Sequence, residues 1–250
     1  MMVEYNHEQN LHTLEGPRKA LPLIFADGRP ESVLDVGCGQ GTWVRAALDY
    51  GISDVYGLDG VDIPASKLLF EPARFRRCDL TAQVDLGRKF GLVLCLEVAE
   101  HLDEAFAPML VQTLIKHADR VLFSAACPQQ IGQHHVNCQW PDYWQKIFNG
   151  HGFACCDDVR WKIWGESLIE PWYRQNMFVA RRNPDLAGKE QRIQPVLHPD
   201  ILRYLESTAL ARALAANEAR IVRGGQPVTW YLTVPFKAIL SKLQRHAKWS

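Results

Sequence analysis

The chain has 250 residues, 47% of them hydrophobic, which is enough for one sizeable core and a small appendage. Lysine plus arginine and aspartate plus glutamate both number 28, so overall charge gives no pull toward nucleic acid or membrane, and no DNA partner is expected. Seven scattered cysteines with no C-x-x-C pair point to a reducing cytoplasm rather than a disulfide framework.

Residues 1–16 are polar and read as a loose cap, with no apolar stretch of the kind a signal peptide carries. Pro17–Phe25 reads as a short helix limited by Pro22. Residues 1–30 are therefore set apart as an N-terminal cap segment.

A first strand is expected over Ser32–Val36, because its apolar run suits a strand buried on both faces of a parallel sheet. Gly37-Cys38-Gly39-Gln40-Gly41 follows, and then a helix to about Tyr50, stopped by Gly51. Strand, glycine turn and helix are the parts that carry a nucleotide-bearing ligand at the carboxyl edge of an open α/β sheet. The spacing is G-x-G-x-G, not the G-x-G-x-x-G of a dinucleotide site, and Asp35 precedes the first glycine by two residues. A carboxylate there repels a pyrophosphate and attracts an ammonium group. S-adenosylmethionine carries an α-amino group and a sulfonium, and no phosphate.

The second strand is expected over Asp54–Leu58, closing with Asp59-Gly60. Asp59 is placed to accept from two ribose hydroxyls. Nucleotide-binding dehydrogenases also keep an acid there, so this residue supports adenosine without choosing the cofactor. A short third strand, Arg74–Arg77, leads into Cys78-Asp79-Leu80, and Phe90–Leu96 reads as a fourth, buried strand ending at Glu97. A helix is expected over Asp103–His117 and a fifth strand over Asp119–Ser124. After a loop, Ala125–Gln139, come a helix from Pro141 to Asn149 and two closing strands, Phe153–Val159 and Asn176–Arg181, as an antiparallel pair. This alternation argues for a doubly wound, Rossmann-like α/β sheet.

Glu97-Val98-Ala99-Glu100-His101 stands at the mouth of the fourth strand, and His134-His135 lies in the loop after the fifth. Two acids and a histidine this close are metal ligands, acid/base groups or charges at a helix start. Strand ends four and five are neighbours in this topology, so the two groups are expected to converge.

The stretch VLDVGCGQG resembles the first motif of the class I S-adenosylmethionine-dependent methyltransferases, over roughly Glu31–Arg182. The resemblance implies seven mostly parallel strands with the last antiparallel. It also implies a cofactor pocket of Asp35, Gly37, Cys38, Gly39, Gly41, Asp59, Gly60, Asp79, Leu80, Glu97 and Val98, with Asp79 accepting from the adenine amino group. Two branches share the E-x-x-E-H look. In one, including small-RNA 3′-end and ubiquinone-precursor O-methyltransferases, the corresponding residues (Glu97, Glu100, His101 and His135) hold a divalent cation beside the acceptor hydroxyl. In the other the segment lines the cofactor pocket and caps the next helix, which leaves His134 or His135 as the general base.

His135-Val136-Asn137, Gln139-Trp140-Pro141-Asp142-Tyr143-Trp144 and Trp172-Tyr173-Arg174-Gln175-Asn176 are similar to a bacterial branch of small-molecule and sugar methyltransferases. Members of that branch are often met beside glycosyltransferases in surface-polysaccharide pathways. The expectation is a cytoplasmic O-methyltransferase acting on a small molecule or glycan precursor. The alternatives are a metal-dependent RNA-end methyltransferase, a nicotinamide-dependent reductase, and a non-catalytic nucleotide-binding or scaffolding domain.

After Arg182 the composition changes, and residues 183–250 read as a helical, basic C-terminal extension. From Arg181 onward twelve Lys/Arg stand against five Asp/Glu. Asn183–Gly188 reads as a linker and His198–Arg223 as a helix. Pro227–Ser250 mixes aromatics and aliphatics with four cations and no acid. That segment suits docking on protein, including a second subunit, or peripheral contact with an anionic membrane.

Overall fold

The computed structural model describes residues 5, 13–26, 28–223 and 228–229. The elements in chain order are α1 (Glu15–Ile24), β1 (Ser32–Val36), α2 (Thr42–Asp49), β2 (Asp54–Asp59), β3 (Phe75–Arg77), β4 (Leu92–Leu96) and α3 (Ala107–His117). They continue with β5 (Arg120–Ser124), α4 (Pro141–Gly150), β6 (Phe153–Cys156), α5 (Asp158–Ile163), α6 (Pro171–Asn176), β7 (Phe178–Arg182) and α7 (Pro199–Val222).

The sheet has seven strands in the order β3-β2-β1-β4-β5-β7-β6. β1 is parallel to β2 and β4, and β5 is parallel to β4, whereas β7 runs antiparallel to both β5 and β6. The chain therefore winds outward from β1 in one direction and then from β4 in the other. A ligand crevice opens at such a switch point, beyond the carboxyl ends of the strands.

Every residue of β1 and β4 is buried, as both-face burial in a parallel sheet requires. Alternate strand residues feed two cores. Leu34, Val93, Val121 and Phe123 pack with Leu110, Leu114, Trp144 and Phe148 of α3 and α4 on one face. Val33, Leu92, Leu94 and Leu122 pack with Leu21, Val44, Ile163 and Tyr173 of α1, α2, α5 and α6 on the other.

Several boundaries differ from expectation. The strand expected over Phe153–Val159 ends at Cys156, the last residue paired to β7, and α5 starts at Asp158. The helix expected from Asp103 begins at Ala107 instead. Pro108, which lacks an N–H, fits only the first turn, and Asp103 caps a separate single turn, Glu104–Phe106. The last strand starts at Phe178 because Trp172–Asn176 is helical. α1 runs from Glu15 to Ile24 with Pro22 inside it and buries Ala20, Leu21 and Ile24.

The chain divides into two compact units, residues 1–201 and 202–250. Within the first, the strap after β7 is tied down. Glu190 Oε1 accepts from Gln145 Nε2 (2.9 Å), Asn149 Nδ2 (2.6 Å) and the Cys155 N–H (3.1 Å), and Ile193 is buried. No helix among the described residues is long and apolar enough to cross a membrane. The basic segment Pro227–Ser250 lies outside the described residues except for Val228 and Thr229, as do most of residues 1–12.

Candidate active site

The turn after β1 is built from backbone. Gly37, Gly39 and Gly41 all have positive φ (79°, 53° and 87°), a conformation that side chains strain. Space adds to this at two of them: a Cβ on Gly37 would run into Val98, and one on Gly41 into the Phe70 ring. The Gly37 and Cys38 N–H groups donate to the Leu58 carbonyl (2.8 and 2.9 Å), locking the turn to the end of β2.

Asp59, the last residue of β2, accepts from the Gly39 N–H on Oδ2 and from the Val61 N–H on Oδ1, both at 2.8 Å. One carboxyl oxygen thus ties Asp59 to the glycine turn after β1 and the other to its own loop. Beside it, Asp35 is 3% exposed, and no described residue donates a hydrogen bond to it. Burial, then the charge of Asp59, raises its pKa to about 8. Cys38, Gly60, Leu80 and Val98 stand around the same turn and strand ends, with Cys38, Leu80 and Val98 buried. Asp79 is exposed and is drawn into its own loop, where one oxygen accepts from the Thr81 N–H (2.8 Å) and Oγ1 (2.6 Å). Those bonds hold its pKa below the usual value.

At the end of β4, Glu97 has φ 56°, a left-handed conformation rare for a residue with a long side chain. Its carboxylate accepts from Gln130 Nε2 on Oε2 (2.8 Å) and from Asn176 Nδ2 on Oε1 (3.2 Å). Burial raises its pKa despite these donors. Gln130 and Asn176 hold this carboxylate, which lies beside that of Glu100 but is not one of the converging ligand atoms of Glu100, His101 and His135.

The group brought together is Glu100, His101 and His135, whose ligand atoms lie within 4.8 Å of one another. Glu100 is fully buried with its carboxyl facing that of Glu97, and neither oxygen is well placed on a donor among the described residues. Burial and the Glu97 charge push its pKa well above the ordinary range. His101 Nδ1 is also buried without a partner, and burial, then His135, lowers the His101 pKa to about 4. The His101 ring meets His135 edge-on at 5.0 Å and Tyr5 at 4.6 Å. His135 Nδ1 lies 2.8 Å from the Gln130 carbonyl, which makes it the protonated nitrogen and leaves Nε2 with a lone pair. Gly132 lets the loop close over this ring, because a Cβ there would collide with it.

The structure separates the neighbouring histidines. His134 is exposed with φ 47° and stands outside the Glu100–His101–His135 group. The idea that Glu97 and Glu100 cap the next helix also fails. Glu100 and His101 belong to a separate single turn, Ala99–His101, and α3 starts only at Ala107.

Two aromatics of the segments similar to the sugar-methyltransferase branch serve packing. Trp144 is 1% exposed against Phe123 (5.1 Å), and Tyr173 packs edge-on against Trp43 (5.2 Å). Sequence reasoning missed Gln130 and assigned Asn176 no role of its own. The only local trace was two polar residues at positions where the flanking segments turn inward.

This fold and this cleft define a Rossmann-like transferase architecture with a backbone-built ligand turn. Residues 5–156 match the family described as "Methyltransferase domain", and the chain belongs to that family, with the fold of class I S-adenosylmethionine-dependent methyltransferases. No curated protein matches the sequence. Three solved structures share the fold. The sugar N-methyltransferase KedS8 from Streptoalloteichus sp ATCC 53650 is 16% identical over 71% of this chain and 90% of its own, with TM-score 0.52. DesVI of Streptomyces venezuelae is 14% identical over 67% and 90%, with TM-score 0.51. Magnesium protoporphyrin IX methyltransferase (ChlM) from Synechocystis PCC 6803, with bound SAH, is 22% identical over 68% and 83%, with TM-score 0.50.

Proposed function

We propose that the protein uses S-adenosylmethionine to O-methylate a small molecule or a sugar or glycan precursor. The observation that carries this reading is the pairing of a left-handed glycine turn with two buried acids at the switch point, one of them without a donor among the described residues. That arrangement fits a ligand with an ammonium group and two ribose hydroxyls and disfavours a pyrophosphate. In this reading Asp35, Gly37, Cys38, Gly39, Gly41, Asp59, Gly60, Leu80, Glu97 and Val98 line the cofactor pocket. Asp79 contributes its remaining oxygen at the adenine end.

The cofactor supplies an activated methyl group, so the chain's task is positioning and removal of one proton. His135 takes that proton at Nε2 while its Nδ1–H stays on the Gln130 carbonyl. Burial lowers the His135 pKa, which keeps the ring neutral and able to accept near pH 7. The exposure of His134 favours His135 for this role. The residues before Arg181 carry a net excess of acids, which favours a neutral or cationic acceptor over an RNA end. Seven free cysteines favour the cytoplasm.

Tritium transfer from methyl-labelled S-adenosylmethionine to a panel of hydroxyl- and amine-bearing sugars, free and nucleotide-linked, tests the reading. Label in a hydroxyl ether supports it. Label only on amines moves the chemistry to N-methylation, and no cofactor binding at all defeats it.

A second reading rests on Glu100. A buried carboxyl that meets no well-placed donor among the described residues, beside two imidazoles, is a donor set that Zn²⁺, Fe²⁺ or Mn²⁺ would satisfy. Glu100, His101 and His135 would hold the ion, which would make an acceptor hydroxyl more acidic. Calorimetry with Zn²⁺ and Mn²⁺ should then show one site in the wild type and none in Glu100→Gln. Full methyl transfer after exhaustive chelation would leave only the histidine base.

A further inference from the structure

Gln130 touches both halves of the cleft. Its side-chain Nε2 donates to Glu97 Oε2 (2.8 Å), and its backbone carbonyl accepts from His135 Nδ1 (2.8 Å). Its Oε1 accepts from Asn176 Nδ2 (2.9 Å), and Asn176 donates to Glu97 as well. Asn176 is oriented in turn, because its Oδ1 accepts from Gln175 Nε2 (3.1 Å), whose Oε1 accepts the His198 N–H (2.8 Å). Gln130, Asn176, Gln175 and His198 are all less than 9% exposed. Three side-chain amides from two segments thus pass hydrogen bonds in one direction, and the series ends on the Glu97 carboxylate.

Such a series is costly to bury unless every member is satisfied, and it fixes its last acceptor in place. Here that acceptor sits on strained backbone, at φ 56°. The next residue, Val98, fills the space under Gly37 of the glycine turn, so Glu97 borders the cofactor side. Through Gln130 it is also tied to His135 on the other side. Donor and acceptor meet at this border during methyl transfer, and the sulfonium cation has to be there too.

We propose that Gln130, supported by Asn176, is a positioning residue that aims the Glu97 carboxylate at the sulfonium of the methyl donor. The inference rests on the cofactor named above. Its specific consequence is charge discrimination: S-adenosylmethionine carries a sulfonium, whereas S-adenosylhomocysteine has a neutral thioether and otherwise the same groups. A carboxylate held at the sulfonium favours the first over the second. A residue that merely supports the fold affects both alike.

The test is titration calorimetry of both ligands with the full chain, in the wild type and in Gln130→Met, which keeps the length of the side chain and removes its amide. Affinity for S-adenosylmethionine should fall about tenfold, the effect of losing one hydrogen bond to a charged group, while that for S-adenosylhomocysteine changes less than about threefold. Glu97→Gln, which removes the charge but keeps the shape, should give the same selective loss and serves if Gln130→Met folds poorly. Equal losses for both ligands, or no loss for either, would overturn the positioning role. Failure of the wild type to bind either ligand would instead strike at the cofactor itself, so the two failures are distinguishable.

Discussion

On the glycine-turn side of the cleft, one stretch, residues 33–43, supplies the strand, the turn and the helix start, and the next strand adds Asp59. The histidine side draws Glu100, His101 and His135 from two loops and borrows Gln130 and Asn176 to hold Glu97. The first is made of backbone, with positive-φ glycines and main-chain hydrogen bonds. The second is made of side chains, and it retains buried polar atoms without well-placed partners among the described residues, at Glu100 and His101. A backbone site tolerates little change in residue type and serves any member of a family that binds the same ligand. A side-chain site with unspent hydrogen-bonding capacity is where substrate choice is made.

Breaking the histidine side should show in rate. With an acceptor in hand, His135→Ala should lower the rate of methyl transfer at least a hundredfold, within the usual range for a general base, while His134→Ala stays within about twofold. Steady-state kinetics on the two variants compares them directly. Equal losses would mean that exposure misleads and that His134 turns into the cleft.

Breaking the glycine side should show in stability and binding. Gly37→Ala forces a side chain into a left-handed residue and against Val98. A loss of about 2–4 kcal/mol in denaturant unfolding is expected, together with loss of cofactor binding. A variant that unfolds and binds like the wild type would contradict the packing of this turn.

The comparison can be sharpened by pH. Asp35 is at about 8 in the folded chain and near 4 when unfolded, so between those values only the folded form keeps the proton. Raising the pH through that window therefore favours unfolding, and the effect levels off above about pH 8. For the ligand-free protein, Asp35→Asn should remove up to about 1.4 kcal/mol per pH unit of this decline. Parallel stability curves for the two proteins from pH 5 to 8 would show that the carboxyl is not buried in this way.

The same contrast explains what could be read from the sequence. The strands Ser32–Val36 and Asp54–Asp59 and the turn between β1 and α2 were legible because short-range patterns set them: apolar runs, glycine spacing and a closing acid. The convergence of Glu100 and His101 with His135 was legible from topology, since β4 and β5 are neighbours. Gln130 and Asn176 were not, because their importance comes from meeting Glu97 across separations of 33 and 79 residues. Nor was the different placement of the two histidines legible, because a positive φ at His134 and a carbonyl at Gln130 set where each ring lies. Local composition also misplaced the start of α3, where one proline mattered more than the helical spacing around it.

In the proposed function the glycine turn, Asp35 and Asp59 hold S-adenosylmethionine. Titration calorimetry of the full chain with S-adenosylmethionine and with NAD tests it most directly. One saturable site for S-adenosylmethionine is expected, weakened at least tenfold in Asp59→Ala, with no heat of binding for NAD. Saturable binding of NAD, or no binding of S-adenosylmethionine to the wild type, would contradict it.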